Sequence, residues 1–181
     1  QRVTKLLSQT DSRGLQVSTF HTLGLKIIRR EKKKLGLRKG FTIYDHQDSS
    51  ALIKDLLRKD FATSTDIEDK IRWQISAWKN AFISADQAIQ SCTDPKEHTA
   101  AQIYLKYDQA LRTYNAVDFD DLISLPAMLF SQDTETLMDW QQRIRYLLVD
   151  EYQDTNTAQY NLIKLLLGTR SSLTVVGDDD Q

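Results

Sequence analysis

The sequence predicts an α/β protein that is predominantly helical, with a parallel sheet interrupted by an inserted all-α subdomain. Two short apolar runs, at residues 146–149 and 173–176, predict neighbouring strands, because apolar positions at helical spacing lie between them. Strand, helix and strand in this order form the crossover unit that joins parallel strands. A long series of amphipathic patterns between residues 45 and 115 predicts the helical insertion.

The first elements are expected to be a short strand over residues 16–20 and a helix from His21 to about Lys34. Three apolar residues give this helix one apolar side, and its basic residues then face outward. Glycines at positions 36 and 40 interrupt the pattern before a short extended segment at 41–44. The apolar residues of the helix are Leu23, Ile27 and Ile28.

Within the insertion, the helix starts are marked by capping residues. Asp48 suits a first helix, Ser84 and Gln87 have the spacing of a capping box, and Pro95 suits a first helical position. Aromatic residues at helical spacing are expected to form the core rather than a stacking platform for bases. After the insertion, Asp118 is expected to cap a helix that Pro126 bends or ends, and a further helix covers about 135–143.

Two adjacent carboxylates, Asp150 and Glu151, follow the apolar run at 146–149, which reads as a strand buried on both faces. The next strand leads to the segment GDDDQ, which ends at Gln181. Ligands of α/β proteins usually bind at the carboxyl ends of parallel strands. Nucleoside triphosphate hydrolysis needs a carboxylate near Mg²⁺ and a second group that positions or deprotonates water. The alternative reading makes the two acids caps of the helix that follows Asn156.

Four segments carry a resemblance to a known family. They read STFHTLG at 18–24, VDFDDLI at 117–123, LLVDEYQDTN at 147–156 and VVGDDDQ at 175–181. In order and spacing they resemble the first motor domain of UvrD/Rep-type superfamily 1 DNA helicases, over nearly the whole chain. The resemblance implies a partial RecA-like sheet of the P-loop NTPase type at 1–21 and 118–181, with the inserted helical subdomain at 22–117.

The resemblance also implies roles for seven residues. Asp150 would lie beside Mg²⁺, Glu151 would activate water, and Gln181 would sense the γ-phosphate of ATP. Four residues would contact single-stranded DNA. Without the resemblance, Thr19 or Thr22 would be interpreted as a helix cap and Phe119 as a buried residue. Phe20 is expected to belong to the core with or without the resemblance. These four are Thr19, His21, Thr22 and Phe119.

The sequence lacks the phosphate-binding loop, Gly-x-x-x-x-Gly-Lys-Ser/Thr, because none of its 6 glycines is followed by lysine. We therefore expect an internal piece of an ATP- and Mg²⁺-dependent helicase that moves 3′ to 5′ on single-stranded DNA and at single/double-strand junctions. The piece alone is expected to be catalytically silent. The alternative is a stand-alone DNA-binding or protein-docking helical module; a metal-dependent nuclease ranks last, because no lysine accompanies the acids at 150–151.

Composition narrows these classes. The net charge of −1 does not indicate a polyanion partner, yet eight of the residues from Lys26 to Lys39 are basic and one is acidic. This basic segment is either a solvated helix face or a phosphate-binding surface. With one cysteine no internal disulfide can form, and neither a membrane span nor a secretion signal is visible, so we expect a cytoplasmic protein.

Overall fold

The computed structural model describes residues 14–60 and 65–178, and within those ranges the chain forms eight α-helices and two pairs of parallel strands. This confirms the prediction of a mostly helical α/β protein. None of the helices in the described ranges is long and apolar enough to cross a membrane. In chain order the elements are α1 (Phe20–Glu31), β1 (Thr42–Ile43), α2 (His46–Asp60), α3 (Thr65–Asn80), α4 (Ala85–Ser91), α5 (Pro95–Tyr114), β2 (Ala116–Val117), α6 (Asp121–Gln132), α7 (Thr134–Arg143), β3 (Tyr146–Val149), α8 (Thr157–Leu166) and β4 (Ser172–Val175).

Helices α2 to α5 form a bundle, and the chain enters and leaves this bundle at one point. There β1 pairs in parallel with β2, and Thr42 lies opposite Ala116. The capping predictions are confirmed at two helix starts: Ser84 and Gln87 form a capping box for α4, and Pro95 occupies the first turn of α5. The bundle encloses its own apolar core, formed mainly by Ile53, Leu57, Ile71, Ile75, Trp78, Ile103, Tyr104, Tyr107 and Leu111.

A second core lies between α1, α6, α7 and α8. Helix α1, which the predicted domain division assigns to the insertion, contributes the fully buried Ile27 to this core. Phe20 packs against the same cluster, as its core reading requires. The other buried members come from α6, α7 and α8, and they are Ile123, Ala127, Phe130, Trp140, Ala158, Leu162 and Leu166.

Helices α1 and α6 approach each other unusually closely at Gly24. A Cβ atom on Gly24 would lie 1.7 Å from the carbonyl oxygen of Leu122, so only glycine fits at this position. Pro126 lies inside α6, which continues to Gln132, so of the predicted bend or end at this proline the end is wrong. Proline has no N–H group, so the Leu122 carbonyl lacks its usual donor four residues later, and this is the carbonyl that faces Gly24.

Strands β3 and β4 pair in parallel with Tyr146 opposite Ser172 and Val149 opposite Val175, which confirms the predicted strand–helix–strand unit. The expectation that β3 is buried on both faces is wrong. Val149 is buried, but Tyr146 is 83% exposed and Leu148 66% exposed, because successive side chains point to opposite faces and no described residues cover the second face.

The predicted strand at residues 16–20 is also wrong in the described part of the chain. Residues 15–19 form neither a strand nor a helix, and α1 begins at Phe20. The side chain of Thr19 accepts a hydrogen bond from the backbone N–H of Thr22, at 3.2 Å between Oγ1 and N, so Thr19 is the N-cap of the helix. The cap fixes the helix start one residue earlier than predicted.

Candidate functional site

The two carboxylates at 150 and 151 lie at the carboxyl end of β3, where it meets the end of β4. Both side chains are exposed. The neighbouring strand end is fixed by two backbone hydrogen bonds, from Val176 N to Val149 O at 2.8 Å and from Tyr152 N to Val176 O at 3.0 Å. The two acids therefore lie at the ordered carboxyl end of the β3–β4 pair and are exposed to solvent. This is the position at which parallel sheets bind their ligands.

Glu151 has an uncommon backbone conformation. Its φ and ψ angles are 52° and 46°, the left-handed region, which costs a residue with a side chain about 1–3 kcal/mol. The backbone N–H of Glu151 donates to Asp150 Oδ1 at 3.1 Å. The alternative that these acids cap the next helix is wrong, because Asn156 caps α8 and forms a capping box with Gln159.

Gln153 connects the ends of β3 and β4. Its Nε2 donates to Glu151 Oε2 at 2.7 Å, while its Oε1 accepts from the backbone N–H of Asp178 at 3.1 Å. Gly177 permits this approach, since a Cβ there would lie 2.7 Å from Gln153 Oε1. Gln153 thus holds the Glu151 carboxylate toward the segment that follows β4. No role for Gln153 was predicted from the sequence.

Gln181, predicted to sense the γ-phosphate, lies outside the described residues. Asp150 and Glu151 fit a magnesium ion in chemical type, since Mg²⁺ takes oxygen ligands and commonly uses one or two carboxylates together with water and phosphate oxygens. No group of three or more His, Cys, Asp or Glu side chains suited to a metal ion occurs in the described ranges. Any magnesium here would therefore complete its coordination with water or with phosphate oxygens of a nucleotide.

The four residues predicted to contact DNA come together at the start of α1. The ring of His21 meets the ring of Phe119 edge-to-face, with centroids 6.0 Å apart. Thr19 Oγ1 and Thr22 Oγ1 are 3.0 Å apart, and all four side chains are exposed. No acidic residue occurs in the first turn of α1, so the positive end of the helix dipole faces solvent beside two hydroxyls, an imidazole and a ring.

Phe119 is 48% exposed, so its reading as a buried residue is wrong. Its neighbours Asp118 and Asp121 are buried and exchange hydrogen bonds, from Asp121 N to Asp118 Oδ1 at 2.8 Å and from Asp118 N to Asp121 Oδ2 at 3.1 Å. Asp118 thus accepts from the first N–H group of α6, as a cap does, whereas Asp120, the residue directly before the helix, makes no side-chain cap hydrogen bond. The reciprocal pair of hydrogen bonds also holds the Phe119 ring outward on a rigid turn.

The cation that neutralises these acids was not predicted from the sequence. Lys79, 4% exposed, places Nζ 2.6 Å from Asp118 Oδ2 and 2.8 Å from Asp121 Oδ1. The hydroxyl of Tyr107 also donates to Asp118 Oδ2, at 2.9 Å. We call Lys79, Tyr107, Asp118 and Asp121 the buried charge cluster. Three acids at the start of an apolar helix, at 118, 120 and 121, would need a nearby cation if they are buried, but they do not identify the residue that supplies it.

Opposing effects set the pKa values in the buried charge cluster. Burial favours the neutral form of Lys79, but the charges of Asp121 and Asp118 outweigh it and hold its pKa well above the ordinary value. Burial alone would raise the pKa of Asp118, whereas the Lys79 charge and hydrogen bond lower it overall. Burial and repulsion from Asp118 raise the pKa of Asp121.

The basic segment 26–39 is divided between structural and solvent-facing residues. Lys34 Nζ donates to Asp133 Oδ2 at 2.8 Å, and the hydrogen bond raises the pKa of Lys34 and lowers that of Asp133 to about 2. Arg30 lies over the Trp140 ring, 5.6 Å from its centroid. Five basic residues are exposed and form no salt bridge within the described ranges, so a phosphate-binding role for the segment rests on them: Lys26, Arg29, Lys33, Arg38 and Lys39.

Comparison with known proteins gives a family and several relatives. The model of the UvrD/REP helicase N-terminal domain matches residues 1–181. Among similar curated proteins, the ATP-dependent DNA helicase Rep of Escherichia coli is 46% identical and that of Salmonella typhimurium 45% identical, each over 100% of this chain and 27% of the relative. The ATP-dependent DNA helicase PcrA of Leuconostoc citreum is 39% identical over 100% of this chain and 24% of its own length. The chain thus spans about a quarter of these relatives.

Proposed function

The chain belongs to the UvrD/REP helicase family, and we propose that it is part of the first motor domain of an ATP-dependent DNA helicase. The observation that carries the proposal is the pair of exposed carboxylates, Asp150 and Glu151, at the end of β3 and beside the end of β4. The whole protein would couple ATP hydrolysis to 3′-to-5′ movement along single-stranded DNA and to unwinding at single/double-strand junctions.

In this proposal the two acids have separate tasks. Asp150 holds a magnesium ion, which when bound neutralises charge on the phosphates of ATP. Glu151 accepts a proton from the attacking water, and Gln153 keeps its carboxylate in place through the 2.7 Å hydrogen bond. The left-handed backbone of Glu151 supports this assignment, because strained residues concentrate at active sites. Gln181 would contact the γ-phosphate.

The second half of the proposal concerns DNA. The hydroxyls of Thr19 and Thr22 and the imidazole of His21 would bond phosphate oxygens at the positive end of α1, without reading base identity. Phe119, supported from the side by His21, would stack on a base. Contacts of this kind tolerate any sequence, which a translocating enzyme requires.

The remaining features of the proposal concern architecture. We propose that the segments 1–21 and 118–181 belong to a RecA-like domain and that 22–117 is its helical insertion. The parallel β3–β4 pair with its crossover helix supports the first statement, and the separate core of α2 to α5 supports the second. The 181-residue chain alone would not hydrolyse ATP, because no phosphate-binding loop occurs in it.

The test is a Glu151→Gln substitution in the full-length protein. Loss of a general base lowers turnover by about 10²- to 10⁴-fold, and we expect ATP hydrolysis to fall in this range while affinity for single-stranded DNA stays within about twofold. Glu97→Gln, in the exposed first turn of α5, is the matched control and should leave both unchanged. Normal ATP turnover in Glu151→Gln would refute the assigned role.

A further inference from the structure

Asn80, the last residue of α3, bonds to two loops that the proposed function assigns to different ligands. Its Nδ2 donates to Asp120 Oδ1 at 2.9 Å and to the Ser76 carbonyl oxygen at 2.9 Å. Its Oδ1 accepts from Asn156 Nδ2 at 3.2 Å. One amide on the helical bundle therefore touches the turn that carries Phe119 and the start of α8.

The partners fix the orientation of this amide. Near Nδ2, the Ser76 carbonyl and the Asp120 carboxylate can only accept, and near Oδ1 the Asn156 amide group donates, so a flipped amide would lose these three hydrogen bonds. Asn156 is fixed in the same way, since its Oδ1 accepts from Gln159 N at 2.9 Å as the cap of α8 and only its Nδ2 remains for Asn80. The link can form with one arrangement of the two side chains.

Each end of the link is short and rigid. Asp120 is the residue after Phe119, in the turn that the buried charge cluster braces through Lys79, the neighbour of Asn80. Asn156 follows the short 3₁₀-helix at Tyr152–Asp154, which begins directly after Glu151. A shift of the Phe119 turn would displace Asp120, and the hydrogen bonds of Asn80 connect Asp120 to the segment that follows Glu151.

We propose that Asn80 is a positioning residue that couples occupancy of the DNA site at Phe119 to the orientation of Glu151. This inference rests on the proposed function and deepens it, because it names the contact through which single-stranded DNA stimulates ATP hydrolysis. Asn80 touches neither ligand. Its loss should reduce the coupling between the two sites and leave each site intact.

The test uses three variants of the full-length protein and measures ATP turnover with and without oligo(dT). In Asn80→Ala we expect the stimulation by DNA to fall about fivefold or more, the range of a typical coupling free energy, while turnover without DNA and the affinity for oligo(dT) stay within about twofold. Asn156→Asp keeps the oxygen that caps α8 but cannot donate to Asn80, so it should lose stimulation similarly. Asn161→Ala, a half-buried asparagine on α8, is the matched control and should keep full stimulation.

The outcomes separate the inference from the proposed function. If the unmodified protein shows no stimulation by DNA, the proposed function fails. If it is stimulated and both Asn80→Ala and Asn156→Asp are stimulated to the same degree, the inference is overturned and the function stands. Combining the two substitutions should add little to the loss of stimulation from Asn80→Ala alone, because both remove the Asn80–Asn156 hydrogen bond; fully additive losses would also overturn the inference.

Discussion

Replacing Lys79 by methionine tests how the buried charge cluster holds the Phe119 turn. Methionine has a similar length without the charge, so Asp118 and Asp121 would stay buried against each other with no cation. Lys79 is 4% exposed and bonds to both acids at under 3 Å, so water cannot replace it at low cost. Removing one partner of a buried ion pair costs about 3–5 kcal/mol, and we expect this loss in the free energy of unfolding at pH 8.

The loss should depend on pH. Without Lys79, burial and mutual repulsion raise the folded-state pKa of both carboxyls above the unfolded value of about 3.9. A carboxyl with a raised folded-state pKa binds its proton more tightly in the folded state, so the penalty is full above that pKa and disappears as the pH falls toward the unfolded value. In the unmodified protein, Asp118 behaves oppositely, since its lowered pKa gives a stabilisation that is lost at low pH. The two proteins should therefore differ most at pH 8 and least near pH 4.

Urea unfolding followed by circular dichroism at pH 8 and pH 5 measures both effects. Lys70→Met, on an exposed position of the same helix, is the control and should change stability by no more than about 0.5 kcal/mol. Adding Asp118→Asn and Asp121→Asn to Lys79→Met should restore much of the stability at pH 8, because no buried charge remains. If Lys79→Met is as stable as Lys70→Met, or is destabilised equally at both pH values, then Lys79 does not neutralise buried carboxylates in the folded protein.

Two further substitutions test the DNA site and its support. Phe119→Ala should weaken binding of oligo(dT) by about 5- to 150-fold, because one stacked base is worth about 1–3 kcal/mol, and it should change the melting temperature little. Tyr114→Ala, at another exposed aromatic residue, should change neither the binding of oligo(dT) nor the melting temperature. A large drop in the melting temperature of Phe119→Ala would show that Phe119 is core. Gly24→Ala should lower the free energy of unfolding by about 3 kcal/mol or more, because the new Cβ would lie 1.7 Å from the Leu122 carbonyl oxygen. The better helix propensity of alanine is too small to offset this clash. Unchanged stability in urea would contradict the close approach of α1 and α6.

Local signals in the sequence predicted the elements that local physics determines. Capping residues such as Ser84 act on the next few backbone N–H groups, so their spacing identifies the start of a helix without knowledge of the fold. The apolar runs of β3 and β4 were equally clear. The prediction failed at residues 16–20, where the composition suits a strand but no described neighbour pairs with it, and Thr19 caps a helix instead. Strand pairing is not a local property.

Contacts between residues far apart in the sequence could not be predicted from such local signals. Lys79 lies at the end of an amphipathic helix, where a lysine usually faces solvent, and its partners are 39 and 42 residues further along the chain. Asn80 has no sequence signature at all, because asparagine near a helix end is ordinary. The site residues named from the motifs did converge, at His21 and Phe119, since their elements are positioned by the contact of Gly24 with α6.

These observations give the helical bundle a specific place in the proposed mechanism. The end of α3 presents two adjacent side chains: Lys79 fixes the turn of Phe119 through buried charges, and Asn80 connects that turn to the start of α8 through neutral hydrogen bonds. The charged contacts are costly to break, whereas an amide hydrogen bond is worth about 0.5–1.5 kcal/mol and can be remade within a catalytic cycle. A coupling device needs both properties, a fixed turn to receive DNA and an exchangeable bond to pass the displacement on. We therefore expect substitutions at Lys79 to affect stability first and substitutions at Asn80 to affect coupling first.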